Sequence, residues 1–396
     1  MKKTSILFLF ALSLGLQTLM AAPKQLKPVS DYIAQQIKDN RIAGAVSLVF
    51  YKGEIVHFEA AGHADVEGGK LMKKDSIFRI YSMTKPITSV AAMILIEQGK
   101  MKLDDPVANY LPKFKNPRVY SKDGKHTKAK RPITVRHLLS HSSGLTYGIF
   151  GDHPVDQMYR KANPMNNNHT NKDLVDVLGP IPLVSHPGEV WRYSLSTDVL
   201  GRLVEVVSGK KLSEFFAERI FKPLNMKDSS FHVLKDKHSR FTVTYTWAAG
   251  KRNVSDHPSR SRFVRPAVWE SGGGGLTSST RDYLRFCQML LNGGQLGKIR
   301  LLKESSVQQM NLSAEGVKGI TMGSNAAFGL GFRVRLKGDP KGAGKGAYNW
   351  GGYASTTFQI DPANKLILIG MTQKVPTDNG FVEGFKQAVY RSIMKD

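Results

Sequence analysis

Several things are scarce in this sequence, and each shortage removes a class of protein. It has one cysteine, Cys287, in 396 residues. No internal disulfide can form, so stability must come from a packed core and not from covalent staples. Cys287 sits in the apolar run Tyr283-Leu284-Arg285-Phe286-Cys287-Gln288-Met289-Leu290-Leu291. A reactive thiolate needs an accessible, electropositive setting, so this residue reads as a small buried hydrophobe. Acidic residues are few: 32 Asp and Glu against 57 Lys and Arg, a formal net charge of +25. The excess is spread along the chain, with denser patches at Lys113 to Arg131 and Lys251 to Arg265. A nucleic-acid binder would interleave aromatics with a basic stripe or carry a binding motif. Neither is found, so no nucleic-acid partner is expected. The charge suits solubility, or weak attraction to anionic envelope polymers. Beyond the N-terminus, no apolar run is long enough to cross a bilayer. G-x-S-x-G and H-E-x-x-H are absent, which removes the nucleophile elbow of α/β-hydrolases and the zinc helix of metalloproteases. Internal repeats and low-complexity tracts are missing too.

What is present begins with a leader. Met1-Lys2-Lys3 is basic, Ile6 to Leu16 is apolar, and Ala21-Ala22 are small. That pattern predicts a secretory signal peptide over 1–22 and a periplasmic or secreted product. The apolar run is too short for a good membrane span. Val29, Ile33 and Ile37 then share a helical face. Ile42 to Tyr51 and Glu54 to Ala61 flank Lys52-Gly53 and read as a β-hairpin. Ile77 to Ile80 is a short strand, and Thr84 to Gln98 turns helical until Gly99 stops it. Helices are predicted at Val135 to Ser140, at Leu195 to Val207 with Ser196 as N-cap, and at Leu212 to Phe221. The polar stretch Gly151 to Lys172 is expected to be a loop, able to serve as a lid. A helix after Ser279 and strands at Phe332 to Lys337, Thr356 to Ile360 and Leu366 to Met371 follow. A helix over Phe381 to Met394 ends the chain. Strands lie near both ends and helices fill the middle. The expected fold class is α+β: an antiparallel sheet from both chain ends, flanked by helices, with a mostly helical insertion. The domain reading is 23–110 together with 231–396 for the sheet, and 111–230 for the helical part.

Ser82 and Lys85 carry the strongest chemistry. They stand three apart where a strand meets a helix, so a helix starting there puts both on one face. A serine hydroxyl needs a base, and a lysine can serve if burial or neighbouring charge lowers its pKa. The helix N-terminus offers N–H groups to an oxyanion. By itself the tetrapeptide reads more often as a Ser cap followed by a surface Lys. Tyr193, in Trp191-Arg192-Tyr193-Ser194-Leu195, marks another loop-to-helix junction where a phenol could relay the serine proton. Trp350-Gly351-Gly352 precedes a strand, and its glycines let a substrate come close to that edge. His137 and His141 are four apart, but no third ligand is spaced to match, so packing and hydrogen bonding are expected and no metal. Gly342 to Gly346 lacks the Ser or Thr of a P-loop and reads as a hairpin loop. Gly272 to Gly275 reads as a tight turn or close-packing segment at the edge of a site.

Ser82-x-x-Lys85, Tyr193-Ser194-Leu195 and Trp350-Gly351-Gly352, in that order, resemble the three motifs of the penicillin-recognising serine hydrolases. Within them the chain is most similar to class C β-lactamases and family VIII carboxylesterases. Ile133 to Leu145 and Gly272 to Leu276 add to the likeness, which runs from about Pro28 to the C-terminus. The resemblance implies a β-lactamase/transpeptidase-like fold and an acyl-enzyme on Ser82. It implies proton transfer shared by Lys85 and Tyr193, and an oxyanion hole from the N–H groups of Ser82 and Tyr353. Trp350, Gly351, Gly352, Tyr353 and Leu195 become the expected substrate-binding residues, with no cofactor. Two departures count: Leu195 stands where the second motif often has Asn, and Trp350 where the third often begins with Lys. In β-lactamases that Lys helps receive the substrate carboxylate. An indole instead removes a cation and adds apolar surface, which points to small esters; Lys345 is the nearest replacement cation. The expectation is a carboxylesterase. A β-lactamase or D-amino-acid peptidase on an amide substrate, and a non-catalytic envelope-binding protein, remain the alternatives.

Overall fold

The computed structural model describes residues 26–313, 317, 320–322 and 325–394. The expected leader, 1–22, lies outside the described residues. The main sheet has eight strands, numbered here in chain order: β1 Gly44–Tyr51, β2 Glu54–Asp65, β3 Lys70–Leu71, β4 Ala326–Phe328, β5 Arg333–Arg335, β6 Tyr348–Gly351, β7 Thr357–Asp361 and β8 Leu366–Thr372. They lie side by side as β4-β5-β6-β7-β8-β1-β2-β3. The first and last strands of this sheet in chain order meet near its middle, where β1 pairs antiparallel with β8, Leu48 opposite Ile369. Both are buried over nearly their whole length because helices cover both faces.

Five helices matter for the site: α1 Lys27–Lys38, α2 Thr84–Glu97, α3 Ser196–Ser208, α4 Thr280–Leu291 and α5 Asn379–Ile393. α1 and α5 pack together on one face, where Val29, Ile33, Val49, Leu368, Phe385 and Val389 form one core. α4 covers the other face and joins Leu48, Ile369 and Phe286 to the larger core. α2 is buried from Thr84 to Leu95, packed against α3. Full burial explains why its sequence is apolar nearly all round and not striped. Cys287 is buried in α4, and burial pushes its thiol pKa well up, so it is an inert core residue. Among the described residues no helix is long and apolar enough to cross a membrane.

Two local expectations are corrected. Gly151 to Lys172 is not one loop: Pro154–Ala162 is helical. His153 and Asp156 build a capping box at its start. Buried Asp156 also accepts from Thr146 Oγ1 (2.5 Å) and Arg192 Nη2 (2.7 Å). That network ties the segment down, and of its residues only Met165 lines the cleft described below. Ser196 is the first residue of α3 and Leu195 holds the cap position. The Ser196 hydroxyl is taken by Ser143 and Ser194, each at 2.7 Å.

Candidate active site

The turn before α2 is fastened from several sides. Ile80 N–H donates to the Leu276 carbonyl at 3.1 Å, and the Tyr283 hydroxyl donates to the Met83 carbonyl at 2.9 Å. Tyr81 sits in the left-handed region at φ 42°, an uncommon state for a residue with a large side chain. Its ring is clasped edge-on by Phe263 and Tyr353, with centroids at 6.4 and 5.7 Å. Packing therefore holds the strained residue that aims Ser82. At the end of β6, a side chain on Gly352 would meet the Ile80 carbonyl at 2.4 Å, so only glycine lets this strand come so close to the turn.

Ser82, Lys85 and Tyr193 come together. Lys85 Nζ donates to Ser82 Oγ at 3.2 Å, and Tyr193 Oη donates to Ser82 Oγ at 2.7 Å. Lys85 is 1% exposed. It also donates to Tyr147 Oη at 2.8 Å and to the Gly273 carbonyl at 2.6 Å. Its ammonium lies 4.7 Å from the centre of the Tyr193 ring. Burial pushes the Tyr147 pKa well up, helped by Tyr193 and Asp198, so Tyr147 offers Lys85 a neutral oxygen. Asp198, buried on α3, accepts from Ser271 Oγ (2.5 Å) and Gly273 N–H (3.0 Å). Burial raises its pKa against the opposing pull of Lys85. Gly273 must be glycine here, since a Cβ would meet the Asp198 carboxylate at 2.3 Å. The glycine run at 272–275 thus brings a backbone oxygen to Lys85.

The cleft around Ser82 encloses about 840 Å³. Tyr147, Phe150, Tyr193, Trp269, Trp350 and Tyr353 form its aromatic wall. Trp350 lies 5.4 Å from Tyr193 and 5.1 Å from Phe328, ring to ring. Gly351, Gly352 and Tyr353 also line the cleft. Leu195 does not: it is fully buried in the core at the start of α3, turned away from the substrate space. Lys345 is exposed in the β5–β6 hairpin and is not among the cleft residues. His137 caps its own helix, its Nδ1 accepting from Thr134 N–H at 3.1 Å. His141 is buried beside Tyr193, bonded to Ser194 Oγ and Thr197 Oγ1. Burial, with Lys85 adding to it, holds its pKa well below the usual value, so it stays neutral.

Sequence reasoning passed over Tyr147, Asp198 and Phe150. Tyr147 is 62 residues from Lys85, and no local pattern marks it. Asp198 follows Tyr193 by five residues, where an acid on the first turn of a helix reads as an ordinary dipole partner.

A family model described as Beta-lactamase matches residues 29–389. Protein Rv1367c of Mycobacterium tuberculosis is 33% identical over 353 residues, covering 85% of this chain and 86% of that protein. Esterase EstB of Burkholderia gladioli is 30% identical over 362 residues, covering 85% and 88% respectively. Among solved structures, EstCE1, a hydrolase with promiscuous acyltransferase activity, superposes with a TM-score of 0.81 at 28% identity. It covers 92% of this chain and 98% of its own.

Proposed function

The chain belongs to the beta-lactamase family, and from that premise we propose that it is a serine hydrolase acting as a carboxylesterase through an acyl-enzyme on Ser82. One observation carries the reading: Ser82 Oγ is within hydrogen-bond reach of both Lys85 Nζ and Tyr193 Oη, inside an aromatic cleft. When the Lys85–Tyr193 pair is one proton short of fully protonated, it can take the serine proton as Oγ attacks the ester carbonyl. Lys85 Nζ, 4.7 Å from the centre of the Tyr193 ring, keeps the two groups close enough to share that proton. The oxyanion would be met by the N–H groups of Ser82 and Tyr353. The pair then returns its proton to the leaving alkoxide, and the alcohol departs. A water repeats the sequence on the acyl ester, frees the acid and restores Ser82.

The similar proteins EstB, an esterase, and EstCE1, a hydrolase, agree with this class of reaction. The aromatic wall, with Trp350 in it, suits an apolar acyl or alcohol group and gives a β-lactam carboxylate no cation at that position. The leader pattern over 1–22 supports an exported enzyme, periplasmic or secreted. The test compares turnover of p-nitrophenyl butyrate with that of nitrocefin. Ester turnover that disappears in Ser82→Ala is the expected result. Nitrocefin turnover without ester turnover would replace the esterase by a β-lactamase. Failure of a fluorophosphonate to label Ser82 in folded protein would remove the enzyme altogether.

A further inference from the structure

Strand β6 presents two faces to two cavities. Trp350 points to the aromatic cleft. Asn349, one residue earlier, points to the opposite face by the pleat of the strand. There its amide meets Gln359 at 3.4 Å, and its cross-strand partner is Arg333 on β5. α5 covers this face and brings Lys386 and Tyr390 to it. A second cavity of about 490 Å³ opens between them. Arg333, Asn349, Glu383 and Lys386 line both cavities, so the two adjoin. Gly351, which ends β6, and Gly352, which follows it, place no side chain in the way.

The charges of this second cavity do not cancel. Arg335 pairs with Asp339 at 3.8 Å, and Lys386 with Glu383 at 3.0 Å. Arg333 makes no ion pair among the described residues, and its buried Nε has no hydrogen-bond partner. It stands close enough to Lys386 for the two cations to repel. Lys386 itself is 9% exposed. Its pKa is lowered, chiefly by burial, with the Arg333 charge adding to the effect and Glu383 opposing it. A buried donor left unmade and two adjacent cations are both costly arrangements, and one anion seated between them relieves both.

We propose that this cavity is an anion-binding annex of the active site, in which Arg333 and Lys386 seat a carboxylate or phosphate carried on the remote arm of the ester substrate. The proposal rests on the esterase reading and adds to it a substrate class: esters with one apolar arm against the aromatic wall and one anionic arm in the annex. Glu383, at the rim, tempers the site and limits how tightly an anion is held.

Two measurements test the annex separately from the chemistry. The first is the ratio of kcat/KM for charged and uncharged esters. On the acyl side, p-nitrophenyl half-esters from succinate to sebacate are compared with the matching alkanoates. On the alcohol side, acetyl esters of ω-hydroxyalkanoates are compared with those of plain alkanols. One arm is expected to show a preference for the charged member, weakened by salt. That preference should fall roughly tenfold or more in Arg333→Gln and in Lys386→Gln, return in part in Arg333→Lys, and rise in Glu383→Gln. No preference in either arm, or one that both variants keep, overturns the proposal. The second is titration of suberate and of inorganic phosphate into Ser82→Ala protein by calorimetry. Binding lost on Arg333→Gln supports the annex even if no ester is turned over, in which case the esterase reading alone fails. No binding of either anion overturns the annex while leaving the esterase reading untouched.

Discussion

Two lysines are buried among the described residues, Lys85 and Lys386, and their surroundings are opposite. Lys85 donates to three neutral oxygens, those of Ser82, Tyr147 and Gly273, and a buried acid, Asp198, lies close by. Lys386 has a single carboxylate partner at the rim and an arginine beside it. The first setting satisfies every N–H of the ammonium and leaves it touching a hydroxyl that can react. The second leaves positive charge unanswered. Burial alone therefore says little about what a lysine does; its acceptors decide whether it handles a proton or waits for an anion.

The contrast can be broken most forcefully at Ser82. Ser82→Ala should abolish ester turnover while circular dichroism and anion binding in the annex stay as in the parent. Loss of anion binding with the nucleophile would mean that the two sites are one. Lys85→Ala and Tyr193→Phe should each cost about two orders of magnitude or more in kcat, the scale of a positioned proton-transfer group. Near-normal rates in Lys85→Ala would make Lys85 a packing residue and erase its difference from Lys386. Tyr147→Phe removes one acceptor from Lys85 and should cost roughly tenfold, the value of a hydrogen bond to a charged group. Stopped-flow measurement of acylation separates this loss from any slower deacylation.

Acidity sharpens the comparison further. Glu383 on its own helix and Arg333 on β5 are the charged groups that face Lys386. Tyr390 remains a neutral phenol, its pKa raised by burial and by Asp361. Because the folded-state pKa of Lys386 is lowered, the unfolded chain binds more protons between that value and the ordinary lysine pKa of about 10.4. Stability should rise with pH across this window, and the preference for anionic esters should fall across it. Lys386→Arg keeps the charge and should flatten both curves; unchanged curves would clear Lys386 of the role.

The smallest expected effect lies at the start of α5. Asp378 caps this helix through Phe381 N–H at 3.0 Å and pairs with Lys374 at 2.7 Å. Partial burial raises its pKa, but the Lys374 and Phe381 hydrogen bonds outweigh this and hold it down at about 2. Its contribution is whole above the unfolded value of about 3.9 and is lost as pH falls toward 2. Asp378→Ala should cost about 1 kcal/mol in urea unfolding at neutral pH. It should also loosen the annex more than the nucleophile, since α5 carries Lys386 while α2 carries Lys85. Equal loss of both functions would tie the two sides together.

Much of the architecture was legible. Strands at both ends and helices between them follow from period-two and period-3.6 apolar patterns, and burial of those faces is what makes the patterns necessary. Ser82, Lys85, Tyr193 and the Trp350-Gly351-Gly352 segment were readable because each sits at a local junction, a turn entering a helix or the end of a strand. The helix at Pro154–Ala162 was missed because its apolar face is short, with Val155 and Tyr159 reaching the core, and a buried Asp156–Arg192–Thr146 network does the rest of the anchoring. Leu195 was placed in the substrate space by its position in a motif, whereas its apolar side chain is drawn into the core.

By itself the sequence determined the order of elements, the candidate nucleophile with its nearest base, and the aromatic character that Trp350 brings to the cleft. Each of these depends on residues close together in the chain. Only the tertiary structure decided that Tyr147, Gly273 and Asp198 surround Lys85, and that Arg333 faces Lys386 across the far side of β6. Those groups are brought together by sheet pairing and helix packing. A hydrogen bond or a charge–charge contact depends on distance in space, which chain position does not encode until the core has closed.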